Sequence, residues 1–267
     1  MKINITLTLI LILIGTLVWG AHTALGQRRA VENGLVSYWS FDKETIVGKR
    51  VRDLWGDNDG SIEGSPKVVK GKFGDALEFD VANMDAVNVG DPRDGSLDFG
   101  KTTDFTLEAW AKAENSGVSM RIIDKKDAAD RGYMLEHNIT DGFQPYASDG
   151  QGEVSRVLEG ASHFGEGWIH VVGVFEREGD VELYLNGESI KKAAMDSPGK
   201  EDVNTDSPFY IGRRPSGEYW LGCLDEIRVY ERALSEEEIE NNFRADGLAV
   251  ESVGKLAITW GRIKASR

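Results

Sequence analysis

Residues 168–190, which read WIHVVGVFEREGDVELYLNGESI, constrain the fold more than any other part of the chain. Apolar and polar residues alternate on both sides of Gly179-Asp180, and this period of two is typical of half-buried strands. Asn186-Gly187 follows the second run and is a strong hairpin signal, because both central residues of a type I′ turn need a positive φ. Three consecutive antiparallel strands in so short a stretch predict an all-β fold.

Short alternating runs recur along the rest of the chain and are separated by glycine, aspartate and asparagine, which are typical of turns. Residues 45–53 show less pattern. The other runs predicted as strands are residues 34–42, 67–70, 76–79, 86–89, 105–112, 120–125, 132–136, 142–146, 154–158, 209–212 and 224–230.

One helix is predicted near the C-terminal end. Ser235 followed three residues later by Glu238 is a capping box, in which each residue satisfies a free backbone N–H at the start of a helix. Leu234 before the cap and Ile239 within the helix form a hydrophobic staple. The pattern predicts a short amphipathic helix of about two turns, docked at the edge of the strands.

The first 26 residues have the pattern of a secretory signal. Lys2 precedes an apolar run, and Ala24-Leu25-Gly26 places small residues at the positions that a signal peptidase reads. We expect cleavage after Gly26, which makes the protein secreted, extracellular or periplasmic, with no membrane insertion afterwards. The alternative is an uncleaved N-terminal anchor, because the run nearly reaches the length that spans a bilayer.

The remaining ~240 residues suit a single large β domain. We assign residues 34–246 to it. Residues 247–267 differ from this domain, because they are basic at their end and alternate Leu256, Ile258 and Trp260 with other residues. A last strand, a partner-binding tail and a disordered end are all open for this segment.

The composition argues against two classes of partner. The formal net charge is −14 and becomes −15 without Lys2, so neither nucleic acid nor an anionic membrane is an expected ligand. Cys223 is the only cysteine and cannot form an internal disulfide, so the fold depends on its core, or on its core and a metal.

Several segments occur in an order that resembles a known family. They are GLVSYWSFD, VRDLWGDNDGSIEG, GKFGDALEFD, FTLEAWAK, WIHVVGVFE, VELYLNGESI, YIGRR and WLGCLDEIRVYERALSEEEIENNF. The chain resembles the laminin-G-like domain of the concanavalin A-like lectin/glucanase superfamily over residues 34–246. The resemblance implies a jelly-roll β-sandwich of two curved antiparallel sheets. It does not imply one activity, because lectins, adhesion modules and glucanases share this fold.

A catalytic role is not expected. Glucanases of the superfamily carry a Glu-x-Asp-x-Glu strand or a near variant, and retaining hydrolysis needs two carboxyl groups roughly 5 Å apart. This chain has no such triplet. Asp225 and Glu226 are adjacent on a predicted strand and should point to opposite faces. A divergent glycoside hydrolase therefore remains a minority alternative.

An acidic loop at residues 53–60 is a candidate metal site. Asp53 and Asn58 offer a carboxylate and an amide oxygen, and the carbonyl of Gly60 lies nearby, which are ligands that Ca²⁺ prefers. The resemblance implies a structural calcium between this loop and the acidic residue of the final strand, here Asp225. The alternative is an Asx turn without an ion.

Ligand contacts are expected from aromatic, amide and charged side chains in loops, because sugars stack on aromatic rings and bond polar groups. We predict a secreted non-catalytic binding module, and glycans are the favoured class of ligand. The alternative is a protein-interaction or adhesion module at the cell surface. The candidate contact residues are Tyr133, His137, Asn138, Phe143, Tyr146, Arg213, Arg214 and Tyr219.

The calcium hypothesis predicts that the melting temperature rises with millimolar Ca²⁺ and falls with chelator. An ion that binds only the folded state adds about 2.7 kcal/mol when its free concentration is about 100 times its dissociation constant. Mg²⁺ should act more weakly, because it resists dehydration. Asp225→Ala should abolish the calcium-dependent part of the shift, and a wild-type melting curve that ignores both calcium and chelator would contradict the hypothesis.

Overall fold

The computed structural model describes residues 30–151, 154–195 and 202–245. The predicted signal and the tail of residues 247–267 lie outside these ranges. The described chain forms two antiparallel sheets packed face to face, which confirms the all-β jelly-roll prediction. Sheet I contains β1 (Leu35–Trp39), β5 (Lys67–Lys70), β6 (Asp75–Phe79), β8 (Phe105–Ala113), β13 (Ile169–Phe175), β14 (Asp180–Leu185), β15 (Glu188–Ala194) and β17 (Gly222–Tyr230). Sheet II contains β2 (Ile46–Val47), β3 (Arg50–Val51), β4 (Gly60–Glu63), β7 (Ala86–Gly90), β9 (Met120–Lys126), β10 (Arg131–Asn138), β11 (Gly142–Asp149), β12 (Val154–Arg156) and β16 (Phe209–Ile211).

Several neighbouring strands in each sheet come from distant parts of the chain. Sheet I has the order β15-β14-β13-β8-β17-β6-β5, with β1 also beside β17, and sheet II has the order β12-β11-β10-β9-β16-β7-β4-β3-β2. The predicted hairpins at residues 168–190 are β13, β14 and β15. Their last turn has the expected positive φ, 52° at Asn186 and 83° at Gly187. The short strands β2 and β3 fall in the region whose sequence shows little pattern.

The main core lies between the two sheets and is rich in aromatic rings. Phe105 stacks on Phe175 with ring centroids 4.2 Å apart, and on Phe99 with centroids 4.5 Å apart. Trp39 and Phe209 pack beside them. Because strand side chains alternate between faces, every second residue of these strands is committed to this core.

A helix covers part of the outer face of sheet I. Helix α1 (Glu236–Arg244) begins with the predicted capping box of Ser235 and Glu238. Leu234 and Ile239 are buried in a second apolar cluster between α1 and the sheet. No helix in the described ranges is long and apolar enough to cross a membrane.

The contact between α1 and sheet I is centred on a buried carboxylate, Glu108 on β8. Asn242 of α1 donates to its Oε2 at 2.7 Å, and Arg228 of β17 donates to its Oε1 at 2.9 Å. His170 Nε2 lies 3.0 Å from the same Oε1. Burial alone would raise the pKa of Glu108, but the Arg228 charge and the His170 and Asn242 hydrogen bonds outweigh it and lower that pKa from 4.5 to about 2.

A β-bulge corrects one expectation about β17. Asp225 and Glu226 were expected on opposite faces, but the register shifts between Asp225 and Arg228, and Glu226 has a φ of 54°. Glu226 accepts from the Tyr38 hydroxyl at 2.6 Å. Asp225 pairs across the sheet with Trp110, whose ring stacks on Phe243 of α1. Because the bulge inserts one residue, both carboxylates lie on the outer face of sheet I.

Glu108→Gln should reduce the free energy of unfolding by about 3 kcal/mol at pH 7, because a shift of one pKa unit corresponds to about 1.4 kcal/mol. The folded pKa lies below the unfolded value, so this stabilisation is complete above about pH 4.5 and is lost as the pH falls through about 2. The difference between wild type and variant, measured by urea unfolding, should therefore shrink on acidification.

Glu240→Gln is the matched control, because Glu240 lies on α1 in an exposed pair with Arg244. It should change stability by less than about 0.5 kcal/mol at any pH. A Glu108→Gln difference that stays constant from pH 7 to pH 2 would show that the charge of Glu108 does not stabilise the fold.

Candidate functional site

Cross-strand pairing places one row of side chains across the outward face of sheet II, the face turned away from the core. Their sequence neighbours, such as Val87, Leu135, Ala147 and Ile211, belong to the core between the sheets. The row must therefore point outwards. In order across the sheet its members are Ser61, Asn88, Tyr210, Asp124, Met134, Tyr146 and Arg156.

A buried charge network stands beside the middle of this row. Arg121 on β9 contacts Asp124 (Nε–Oδ2 3.3 Å), Glu136 and Glu218. Burial raises the pKa of Asp124 to about 6 although the Arg121 charge opposes it, and burial also lowers the pKa of Arg121. Gln144 donates to the other oxygen of Glu136. Buried charges are tolerated only when they are paired, so these contacts fix the side chains in the middle of the outward face. We call this middle part, formed by Arg121, Asp124, Glu136 and Tyr210, the floor of the face.

One end of the face is closed by Tyr146. Its hydroxyl donates to Asp130, whose other carboxylate oxygen pairs with Lys126 Nζ at 2.5 Å. The same Nζ lies 4.2 Å from the centre of the Tyr146 ring. Burial and the Asp130 carboxylate raise the pKa of the Tyr146 hydroxyl, so it stays protonated as a donor. The trio leaves little of the Tyr146 ring open to a ligand.

The other end is more open and is formed by the hairpin of residues 213–219. Arg213 lies 4.3 Å from the centre of the Tyr210 ring and 5.6 Å from that of Tyr219. Its Nη1 donates to the Tyr219 hydroxyl at 3.1 Å and pairs with Glu63 at 3.1 Å. Tyr219, Arg213 and Glu63 are half-buried. This end therefore presents an aromatic ring and polar groups to solvent, as sugar sites do.

The predicted contact residues divide between the two faces of sheet II. Tyr146, Arg213, Arg214 and Tyr219 lie on or above the outward face. Asn138 sits at the end of β10, where it accepts from the Thr140 N–H at 3.0 Å.

Tyr133, His137 and Phe143 lie on the inward side, and each is at most 1% exposed. The Tyr133 hydroxyl donates to the Leu97 carbonyl at 2.8 Å. His137 Nε2 accepts from the backbone of His163. These three rings therefore belong to the core rather than to a ligand surface, because alternation along β10 and β11 turns them inwards.

Sequence reasoning missed the floor residues Arg121, Asp124, Glu136 and Tyr210. They lie inside strands, whereas the candidates were sought in loops. The available signal was the presence of charged residues such as Arg121, Asp124 and Glu136 within runs 120–125 and 132–136, because charged side chains inside a buried strand are tolerated only when they are paired.

The acidic loop of residues 53–60 is organised around Asp53. Its Oδ1 accepts from the backbone N–H groups of Tyr38, Trp55 and Gly56 at 2.9–3.0 Å, and its Oδ2 accepts from that of Asn58 at 3.1 Å. Both oxygens therefore have protein donors.

The other predicted calcium ligands have separate partners. The amide of Asn58 bonds the hydroxyls of Ser37 and Ser96 at 2.8 and 3.0 Å, and Gly60 pairs with β3. Asp225 Oδ2 accepts from the backbone of residues 72 and 73, at 2.9 and 3.1 Å.

Asp225 differs from Asp53 because one of its two carboxylate oxygens accepts no hydrogen bond from the described residues. Its Oδ1 is buried and has no hydrogen-bond partner in the described ranges. Burial and the neighbouring Glu226 charge raise the pKa of Asp225 to about 8. Among the residues that the structure describes, no group of three or more His, Cys, Asp and Glu could hold a metal ion. Asp53 and Asn58 are satisfied by protein donors alone, and calcium at this loop stays a prediction.

Asp53→Ala should lower stability by at least about 2 kcal/mol, because it leaves several buried backbone donors without a charged acceptor. If protein donors are the only partners of Asp53, the loss is the same in calcium and in chelator when urea unfolding is measured. Asp57→Ala, an exposed neighbour in the same loop, is the control and should change stability by less than about 0.5 kcal/mol. A loss that is larger in calcium than in chelator would instead assign Asp53 to an ion.

Comparisons with known proteins identify relatives of two kinds. The chain is 33% identical over 75 residues to adhesion G-protein coupled receptor V1 of Danio rerio, which covers 28% of this chain and 1% of that protein. It is 22% identical over 223 residues to paraclostridial mosquitocidal protein 1 of Paraclostridium bifermentans, which covers 75% of this chain and 17% of that protein. The chain thus spans a small part of these relatives.

Solved structures share the fold. The binding domain of paraclostridial mosquitocidal protein 1 has a TM-score of 0.65 at 18% identity and covers 79% of this chain and 52% of that one. Domain 4 of AbnA, a GH43 extracellular arabinanase from Geobacillus stearothermophilus in complex with arabinotriose, has a TM-score of 0.61 at 16% identity, over 79% of this chain and 98% of that one.

A family model described as Laminin_G_3, concanavalin A-like lectin/glucanases superfamily, matches residues 83–240. The match covers more than half of the chain and includes most strands of both sheets and the start of α1. The chain therefore belongs to the concanavalin A-like lectin/glucanases superfamily, through a laminin G-like domain.

Proposed function

We propose that this chain is a non-catalytic glycan-binding module that works outside the cytoplasm. We place its ligand on the outward face of sheet II, at the end formed by Tyr219, Arg213 and Glu63. The observation that carries the proposal is the polar row across this face. A sheet whose outward face served only as a solvated surface would not need a buried network of the kind centred on Arg121.

The open end of the face has the chemistry that sugar recognition needs. Tyr219 is a half-buried ring on which the apolar face of a sugar can stack, and the Glu63 carboxylate and the Asn88 amide oxygen each keep a lone pair that can accept from a sugar hydroxyl. Asn88 Nδ2 already donates to Glu63 at 2.9 Å, which holds both groups in place. The similarity to an arabinanase domain in complex with arabinotriose supports a glycan ligand.

Catalysis is not part of the proposal. Asp124 and Glu136 are the carboxylates in the middle of the face, and both contact the same guanidinium of Arg121. Each is at most 3% exposed. A retaining or inverting glycosidase needs two carboxyl groups that reach the glycosidic bond, and this pair is instead used to hold Arg121.

The extracellular location rests on two observations. The first 26 residues have the pattern of a cleaved signal. One fold relative is a domain of an extracellular enzyme.

Similarity to an adhesion receptor over 75 residues favours the second candidate function, an adhesion module with a protein partner.

A glycan array probed with the purified chain tests the proposal. Binding to a defined set of glycans is expected, and Tyr219→Ala should weaken it about 10-fold, because a stacked ring contributes about 1 kcal/mol or more. Tyr219→Phe is the matched control and should keep most of the affinity, because it retains the ring. Absence of binding to any glycan, with capture of a cell-surface protein by the wild type, would overturn the glycan function in favour of adhesion.

A further inference from the structure

Residues 158–167 connect β12 of sheet II to β13 of sheet I, and we call this segment the strap. Two of its backbone N–H groups donate to carbonyls of neighbouring elements, Asp141 in the β10–β11 turn at 2.8 Å and Ala113 at the end of β8 at 3.0 Å. From β15, Lys191 Nζ donates to the strap carbonyl of Leu158 at 2.9 Å. The strap is therefore held against one end of the sandwich from three sides.

His163 lies in the middle of the strap, and each of its two ring nitrogens faces a carboxylate. Nε2 lies 2.5 Å from Glu159 Oε1, and Nδ1 lies 2.9 Å from Glu166 Oε2. An ionised carboxylate is only an acceptor, so both contacts are hydrogen bonds only when both ring nitrogens carry a proton. A neutral imidazole has one donor and can hold only one of the two carboxylates. This geometry therefore requires the imidazolium form of His163.

Glu159 is the partner that depends most on this charge. Its side chain is only 7% exposed, and its Oε2 accepts from the Phe143 N–H of β11 at 2.9 Å. A carboxylate withdrawn from water is tolerated when it is paired and hydrogen-bonded, and His163 is the cation in contact with it. Glu166 is 56% exposed, so water can solvate it when the contact with His163 is lost.

The elements packed against His163 supply no second cation at its ring. The His163 N–H donates to Nε2 of His137 on β10 at 3.3 Å, and burial and the His163 charge lower the pKa of His137 to about 4. Phe143 of β11 stacks on the His163 ring, with centroids 5.4 Å apart. Burial alone would lower the pKa of His163, but the hydrogen bonds to Glu166 and Glu159 outweigh it and raise that pKa above its usual 6.5.

We propose that the strap is a pH-dependent closure of this end of the sandwich, which is held shut by the His163 imidazolium and loosens when His163 loses its proton. His163 is the only histidine of the strap, and histidine is the side chain that changes charge near neutral pH. Loosening would expose the core rings of His137 and Phe143, against which the strap residues Phe164 and His163 pack.

The direction of the pH effect follows from linkage. Closing the strap raises the pKa of His163 above 6.5. The charge of His163 therefore stabilises the closed strap fully below about pH 6.5, and this contribution is lost as the pH rises through the higher pKa of the closed form. The strap should be tightly closed in mildly acidic surroundings and looser in alkaline ones.

Two measurements on the complete chain test the proposal. An NMR titration gives the pKa of His163, which we expect above 6.5. Hydrogen exchange between about pH 5.5 and 9, corrected for the chemical exchange rate, gives the protection of the strap. This protection should fall with rising pH, by about 10-fold for each unit by which the His163 pKa exceeds 6.5. The loop of residues 53–60 contains no histidine and should keep a constant protection.

Three variants separate the charge of His163 from its packing. His163→Gln should remove the pH dependence of the strap, because glutamine cannot gain a proton in this range. Glu166→Gln keeps the buried partner and removes the exposed one, so it should lower the His163 pKa and move the loss of protection to lower pH by the same interval. Glu237→Gln, at an exposed position of α1, is the matched control and should leave both quantities unchanged.

The proposal is overturned if the His163 pKa is 6.5 or lower, or if His163→Gln keeps the pH dependence of the wild type. Constant protection of the strap while His163 titrates would contradict it as well. If His163→Gln does not fold, Glu166→Gln decides the question, because a lowered His163 pKa without a matching shift in protection would show that the charge of His163 does not hold the strap.

Discussion

The strict alternation of side chains along a strand is the constraint on which the rest of this structure depends. Each strand of sheet II gives every second residue to the core between the sheets, and the intervening residues are forced onto one outward face. Tyr133 and Leu135 face inwards for this reason, and Met134 and Glu136 face outwards. The candidate site is thus positioned by the same packing that stabilises the fold, and it lies on paired strands rather than on free loops.

The two outer faces of the sandwich differ in what covers them, and this difference is the reason for placing the candidate site on sheet II. On sheet I, α1 covers the apolar cluster around Ile239, and the Glu108–Asn242 hydrogen bond holds the helix in place. That face is consequently closed by the protein itself. No α-helix of the described ranges lies over sheet II, and its outward face carries tyrosines and paired charges instead of an apolar patch that would need covering.

The parts of the fold that could be predicted are those whose cause is local. The Asn186-Gly187 turn and the Ser235 capping box each depend on a few neighbouring residues, and both are present. The facing of Tyr133 and His137 depends on which side of sheet II packs against sheet I, a contact between parts of the chain that are far apart in sequence, so placing these two residues in ligand-binding loops was wrong. The bulge at Glu226 depends on β17 pairing with β6 on one side of the bulge and with β1 on the other, which no local pattern reveals.

The buried network at Arg121 is better explained by the residues that it holds in position than by any contribution to the stability of the fold. Removing the carboxylates of Asp124 and Glu136 and the guanidinium of Arg121 from water costs several kcal/mol per ion, and apolar residues of similar volume often stabilise a fold equally well. What apolar residues could not do is hold Glu218 in a left-handed conformation and fix the hairpin at a set height above the floor. The network therefore adds less stability than apolar packing could, but its contacts to Glu218 fix the position of the hairpin that carries Arg213, Arg214 and Tyr219.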